Sequence, residues 1–319
     1  MRYIELGKSG IKVSEVGIGT WQWGSKSWGF GKRYGKEDLY RAFKKALDLG
    51  INFFDTAELY GPSEEILGEF IKREGTKDII IATKVSPFNA SYEGTLKAAE
   101  RSIKKLGVEA IDLYQIHWPN PFISLNETLM AFDKLYVDGK IKSFGLSNYG
   151  LKGLKKAKEM VRCVPLVSNQ VKYNLIEREA EKELLPYMQR EGLILIAYSP
   201  LAQGLLAGKL LERPPDLIRK LNPLFSRYNL KKVKPLIEKL KEIADRRGVS
   251  VTQVSINWLL CKENVLPIPG VRNERQVEEI ASASEWRLKD YELKEIEEVS
   301  KSVRVSKLVG WLTLVFRLV

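Results

Sequence analysis

Eight short apolar runs, each followed by an amphipathic stretch, recur almost to the end of the chain. This alternation limits the possible folds more than any other feature. The runs are Val16–Gly19, Ile51–Phe54, Ile79–Thr83, Ile111–Ile116, Ile141–Leu146, Val167–Gln170, Leu193–Ala197 and Val265–Ile268. The helical stretches lie near Lys36–Leu49, Ser63–Lys72, Glu93–Leu106, Leu125–Asp138, Leu151–Val161, Glu177–Glu191, Val251–Cys261 and Glu274–Ala283. In the third, Leu96, Ala99, Ile103 and Leu106 share one face. Strands apolar on both faces need cover on both sides, and strand–helix alternation supplies it with a parallel sheet. Eight such repeats predict an α/β fold, a (β/α)8 barrel closed on itself inside a ring of helices.

Some segments lie outside the repeats. Tyr3-Ile4-Glu5-Leu6 and Ile11-Lys12-Val13, turned at Ser9-Gly10, read as an N-terminal β-hairpin that plugs one end of the barrel. Two extra helices are expected near Val233–Arg246 and Lys289–Lys301. The link from Leu205 to Asn229 holds Pro214, Pro215 and Pro223 and reads as an ordered long loop over the site. No change of composition marks a boundary, so residues 1–319 are expected to form a single domain.

Composition narrows the function classes. Apolar residues make up 44% and charged residues 29% of the 319, as in a soluble protein with a large core. No interior run reaches the roughly 20 apolar residues of a membrane span, and Met1-Arg2-Tyr3-Ile4-Glu5-Leu6 carries no apolar leader. Two cysteines, Cys163 and Cys261, give no disulfide framework, so a cytoplasmic location is expected. With one histidine in the chain, no metal site is expected. The net charge of +12 is spread over helical stretches interleaved with acids. That pattern favours solvated faces over a nucleic-acid surface and would also suit a small anionic ligand.

The single histidine, His117, ends the apolar run Ile111-Asp112-Leu113-Tyr114-Gln115-Ile116. A core histidine satisfied by a carbonyl is one explanation. Its company suggests another. Asp55 directly follows Phe54, Tyr60 lies five residues on, and Lys84 follows Thr83. Three successive strands therefore bring a carboxylate, a phenol, an ammonium and an imidazole to the rim where barrel active sites lie. These groups suit proton donation to a carbonyl oxygen. Lys84 is expected to lower the Tyr60 pKa, Asp55 to keep Lys84 charged, and His117 to hold the substrate oxygen or share the proton. A hydrolase would need paired catalytic carboxylates or a metal cluster at this rim, and neither is present.

The sequence resembles the aldo-keto reductase superfamily over nearly its whole length, including prokaryotic members and the potassium-channel β-subunits. Gly50-Ile51-Asn52-Phe53-Phe54-Asp55-Thr56-Ala57-Glu58-Leu59-Tyr60-Gly61, Ile80-Ile81-Ala82-Thr83-Lys84-Val85, Leu113-Tyr114-Gln115-Ile116-His117-Trp118-Pro119 and the turn and helix from Ile268 to Glu279 carry the resemblance. It implies reduction of aldehydes or ketones by hydride transfer from a nicotinamide cofactor, with Tyr60 as general acid. It also implies cofactor contacts from Gly19, Thr20, Trp21, Asp55, Ser147, Asn148, Gln170 and Tyr198. Further contacts would come from Ser199, Pro200, Leu201, Gln203, Gly204 and Leu205, and from Gly270, Arg272, Gln276 and Glu279.

Arg272 near the adenosine ribose favours NADP(H) over NAD(H). Val271 and Ile280 depart from the family pattern and leave room for NAD(H). Trp23 and Trp118 are expected to touch a small-molecule carbonyl substrate. The resemblance also admits a cofactor-holding regulatory subunit. Finally, the apolar tail from Leu308 to Val319 is expected to line the site or to join subunits in a homo-oligomer, or else to pack on its own barrel as a monomer.

Overall fold

A computed structural model describes residues 1–75, 78–208, 219 and 222–306. The tail from 308 lies outside them. Two antiparallel strands, β1 (Tyr3–Glu5) and β2 (Lys12–Ser14), open the chain. Eight parallel strands follow: β3 (Ile18–Gly19), β4 (Phe53–Asp55), β5 (Ile80–Val85), β6 (Leu113–Ile116), β7 (Phe144–Ser147), β8 (Leu166–Lys172), β9 (Ile194–Tyr198) and β10 (Val265–Ile268). They pair in chain order, and β3 meets β10 through Gly17 N–H to Pro267 O at 2.9 Å and Gly19 N–H to Pro269 O at 3.1 Å. This is a (β/α)8 barrel.

The helices between strands are α1 (Lys36–Asp48), α2 (Ser63–Glu74), α3 (Tyr92–Leu106), α4 (Leu125–Val137), α5 (Leu151–Met160), α6 (Leu184–Glu191), α7 (Arg227–Arg247) and α8 (Val251–Leu260), and α9 (Glu274–Ser282) follows β10. A last helix, α10 (Asp290–Ser302), packs on α7. Two boundaries differ from the sequence expectation. The sixth helix starts at Leu184 rather than Glu177, because Pro186 lacks an N–H and belongs in a first helical turn. A 3-10 turn, Glu179–Glu181, precedes it. Helix α7 starts at Arg227 rather than near Val233. The Ser226 side chain caps it by accepting the Asn229 N–H, and Pro235 is carried inside the helix.

Side-chain alternation explains where the chemistry goes. Along β4, Phe53 and Asp55 point to the barrel interior; along β5, Ala82 and Lys84; along β6, Leu113 and Gln115. The lower interior is apolar: Phe53, Ala82, Leu113, Ile194, Ile196 and Leu266 pack with Leu6 and Val13 of the hairpin, which plugs the amino end. One level higher, at the last interior positions of β4, β5 and β6, polar groups enter.

Candidate active site

Asp55 and Lys84 are wholly buried at that level. Lys84 Nζ lies 2.5 Å from Asp55 Oδ1 and donates to Thr56 O at 2.8 Å. Asp55 Oδ2 accepts from Gln170 Nε2 at 2.7 Å and from Gln115 Nε2 at 3.1 Å. Tyr60, from the loop after β4, sets its ring 5.0 Å from Lys84 Nζ and edge-on to His117, with centroids 5.5 Å apart. The four residues therefore meet. Lys84 lies behind the phenol, while Asp55, Tyr60 and His117 line the cavity.

The electrostatics correct one expectation. Lys84 does not bring the Tyr60 pKa down: burial, then the Asp55 charge, hold it well above the ordinary phenol value. Burial also lowers the Lys84 pKa, against the pull of Asp55. His117 is pushed down to about 3 by burial and then by the Lys84 ammonium, so the imidazole is neutral. Its Nδ1 is buried with no hydrogen-bond partner.

A cavity of about 650 Å³ opens over these groups. Gly19, Thr20 and Trp21, then Ser147, Asn148, Gln170 and Tyr198, line its inner part; Ser199, Pro200, Leu201, Gln203 and Gly204 line its wall. Gly270, Arg272, Gln276, Glu279 and Trp118 also line the cavity. Asn148 is fixed in a left-handed conformation, donating to His117 O at 3.1 Å and accepting from the Tyr198 hydroxyl at 2.9 Å. Ser199, Ala202 and Gln203 are also left-handed, which turns the wall loop tightly after β9. Gln276 Oε1 accepts the Arg272 N–H at 2.8 Å and so ties the turn after β10 to α9.

One expected contact is not at this surface. Trp23 is fully buried: its indole donates to Val271 O and packs on Phe70, so it is a core residue under α1 and α2. Leu205, for which the resemblance implies a backbone donor, buries its side chain in the core. Trp28, expected from the sequence as part of an aromatic pocket wall, is at this surface, whereas Gln115, Leu59 and Arg275 are site residues that sequence reasoning did not single out. Leu59, Trp28 and Arg275 line the cavity, and Gln115 lies beneath it. Gln115 had a readable signal, a polar residue two positions before His117 and so on the same face of a buried strand.

The model of the Aldo/keto reductase family matches residues 15–301. The chain belongs to the aldo/keto reductase family. Among relatives of this aldo/keto reductase, an uncharacterized oxidoreductase of Mycobacterium tuberculosis is 40% identical over 292 residues, 90% of this chain and 89% of that one. The chloroplastic pyridoxal reductase of Arabidopsis thaliana is 35% identical over 311 residues, 91% of this chain and 84% of that one. The glycerol dehydrogenase of Gluconobacter oxydans superposes with a TM-score of 0.83 at 30% identity, covering 95% of this chain and 96% of that one. The protein is thus an oxidoreductase of a family that uses nicotinamide cofactors. Among the described residues, no helix is long and apolar enough to cross a membrane, and no group of three metal-ligating side chains forms.

Proposed function

We propose that this aldo/keto reductase reduces aldehydes or ketones to alcohols with NADPH, and that Tyr60 is the general acid. The observation that carries this reading is a buried Asp55–Lys84 pair behind a protonated phenol, beside a neutral imidazole, all at one part of a cavity of about 650 Å³. The names of two relatives, a pyridoxal reductase and a glycerol dehydrogenase, concern an aldehyde and an alcohol and support it.

The donor set fits a dinucleotide: amide and hydroxyl groups beside Asp55 and His117, and the guanidinium groups of Arg272 and Arg275. The inner groups are Ser147, Asn148 and Gln170, with Tyr198 offering a ring face. When bound, the nicotinamide supplies the hydride. Arg272 would pair with a 2′-phosphate. NADH would serve more weakly, since Val271 has no hydroxyl and Ile280 is buried away from the cavity.

The chain's own residues do the rest. Burial keeps the Tyr60 proton in place until charge develops on the carbonyl oxygen. The Lys84 ammonium then offsets the phenolate left behind. Asp55 holds Lys84 in position. His117, neutral, orients the carbonyl oxygen without competing as an acid. Trp21, Leu59 and Trp118 give the substrate an apolar wall.

Tyr60→Phe keeps the ring and removes the proton. It is expected to lower kcat by about 10²–10⁴-fold while NADPH binding stays close to normal. Wild-type kcat in an assay limited by chemistry would refute the assignment.

A further inference from the structure

Two phenylalanines project from the rim at the carboxyl ends of the strands. Phe88 follows β5 and Phe122 follows β6, and they are 84% and 93% exposed. Asn120 Nδ2 donates to Pro87 O at 2.7 Å and so ties the two loops together. Neither ring lines the cavity. Transfer of such a ring from water to an apolar medium is favourable, and nothing in the fold uses that energy.

Basic groups gather on the same face. The first eight residues of α7 include Arg227, Lys231, Lys232 and Lys234, and Lys301 and Arg304 stand at and after the end of α10. Residues 226–237 and 299–307 contain no acid. Asn229 joins the two stretches: it donates to Ser306 O and accepts the Ser306 N–H, both at 3.0 Å. Lys232 Nζ adds a bond to Arg304 O at 3.2 Å. Ser300 Oγ donates to Leu175 O just past β8, and Asn222, near the start of α7, donates to Gln203 in the cavity wall. The cluster therefore lies at the carboxyl face. Lys234 pairs with Glu238 at 3.5 Å, while Arg227, Lys231, Lys301 and Arg304 are exposed.

The chain continues from this cluster into its most apolar stretch. Nine of the twelve residues from Leu308 to Val319 are apolar, Trp311 and Phe316 among them. Cations beside apolar and aromatic side chains match the two layers of a lipid surface, charged headgroups over hydrocarbon. Other occupants match less well. A second copy would set the same cations face to face. A nucleic acid would pair with the cations and leave the apolar groups in water.

We propose that the carboxyl face docks on an anionic lipid surface. Arg227, Lys231, Lys301 and Arg304 meet the headgroups, and Phe88, Phe122 and the apolar tail enter the boundary beneath them. The proposal is independent of the carbonyl-reduction reading, since docking needs no cofactor.

The test is flotation of the full chain with vesicles of phosphatidylcholine, alone or mixed with phosphatidylglycerol. The chain should float with the mixed vesicles only, and high salt should release it. A cation at an anionic surface is worth about fivefold in binding. Arg227→Gln, Lys231→Gln and Arg304→Gln together should therefore weaken binding on the order of a hundredfold. Phe88→Ser with Phe122→Ser, and separately a chain ending at residue 307, should each weaken it about tenfold or more. The charge and phenylalanine variants change exposed groups, so both should melt close to the wild type and keep the test open if the shortened chain does not fold.

A full chain that floats with neither vesicle, or equally with both, overturns the proposal. Binding left unchanged by the charge variant, or by both apolar variants, overturns it as well. A shortened chain whose oligomeric mass falls in light scattering, with no lipid binding by the full chain, assigns the tail to a second copy instead. All of these outcomes leave the role of Tyr60 standing.

Discussion

A lysine with no exposed surface is stable only because its neighbours accept its protons. Lys84 has Asp55 and the Thr56 carbonyl, and nothing in its own sequence position says so. At this scale the rim residues were legible because each stands at or just past the end of an apolar run. Their pKa values were not, because burial outweighs the nearest charge and burial is a tertiary property. Trp23 shows the same limit. Beside Trp21 in sequence it reads as a pocket wall, but its indole is turned into the core.

Two predictions belong here. Arg272→Ala should weaken NADPH binding about tenfold more than NADH binding, given roughly 1.5–3 kcal/mol for a charge-assisted contact. Equal losses for the two cofactors would show that the arginine does not read the phosphate. The second concerns acid stability. His117 binds no proton in the folded state until about pH 3, but does so from about 6.5 when unfolded. Between those values the unfolded chain holds more protons, so stability is present above 6.5 and is lost as pH falls through the window. At about 1.4 kcal/mol per unit, this is a loss of a few kcal/mol at most. Urea unfolding at pH 7 and pH 4 should show a smaller loss for His117→Gln than for the wild type. The same loss in both would disconnect the imidazole from acid stability.

At the scale of elements, periodicity located every strand of the barrel within a few residues, because interior and exterior faces are both apolar there. Ends were less legible. The start of α6 depended on Pro186 and that of α7 on the Ser226 cap, single residues inside polar stretches. Helix contact is equally local. Gly68 in α2 lies against α3, where an added Cβ would fall less than 3 Å from the carbonyl groups of Lys105 and Leu106. Alanine is the better helix former by about 1 kcal/mol, yet backbone has no room to yield here. Gly68→Ala should therefore destabilise the protein, by about 1–3 kcal/mol as overpacking does. A raised urea midpoint would mean that propensity wins over packing.

For the whole molecule, charge and shape act together. A net charge of +12, with Arg272 and Arg275 lining the cavity, sets a field that draws in an anionic dinucleotide. Raising ionic strength from about 0.02 to 0.5 M shortens the screening length several-fold. The association rate of NADPH, followed by stopped-flow fluorescence, should fall about tenfold, with little change in the dissociation rate. An association rate that ignores salt would mean that the basic surface serves other ends.

The solitary imidazole has one more use. Because His117 is the only histidine in the chain, nitrogen-labelled histidine gives a magnetic-resonance spectrum with a single pair of ring signals, both from the heart of the site. Tautomer, titration and the arrival of a ligand can then be followed without assigning any other residue. The one condition is a preparation purified without a polyhistidine tag, or freed from it.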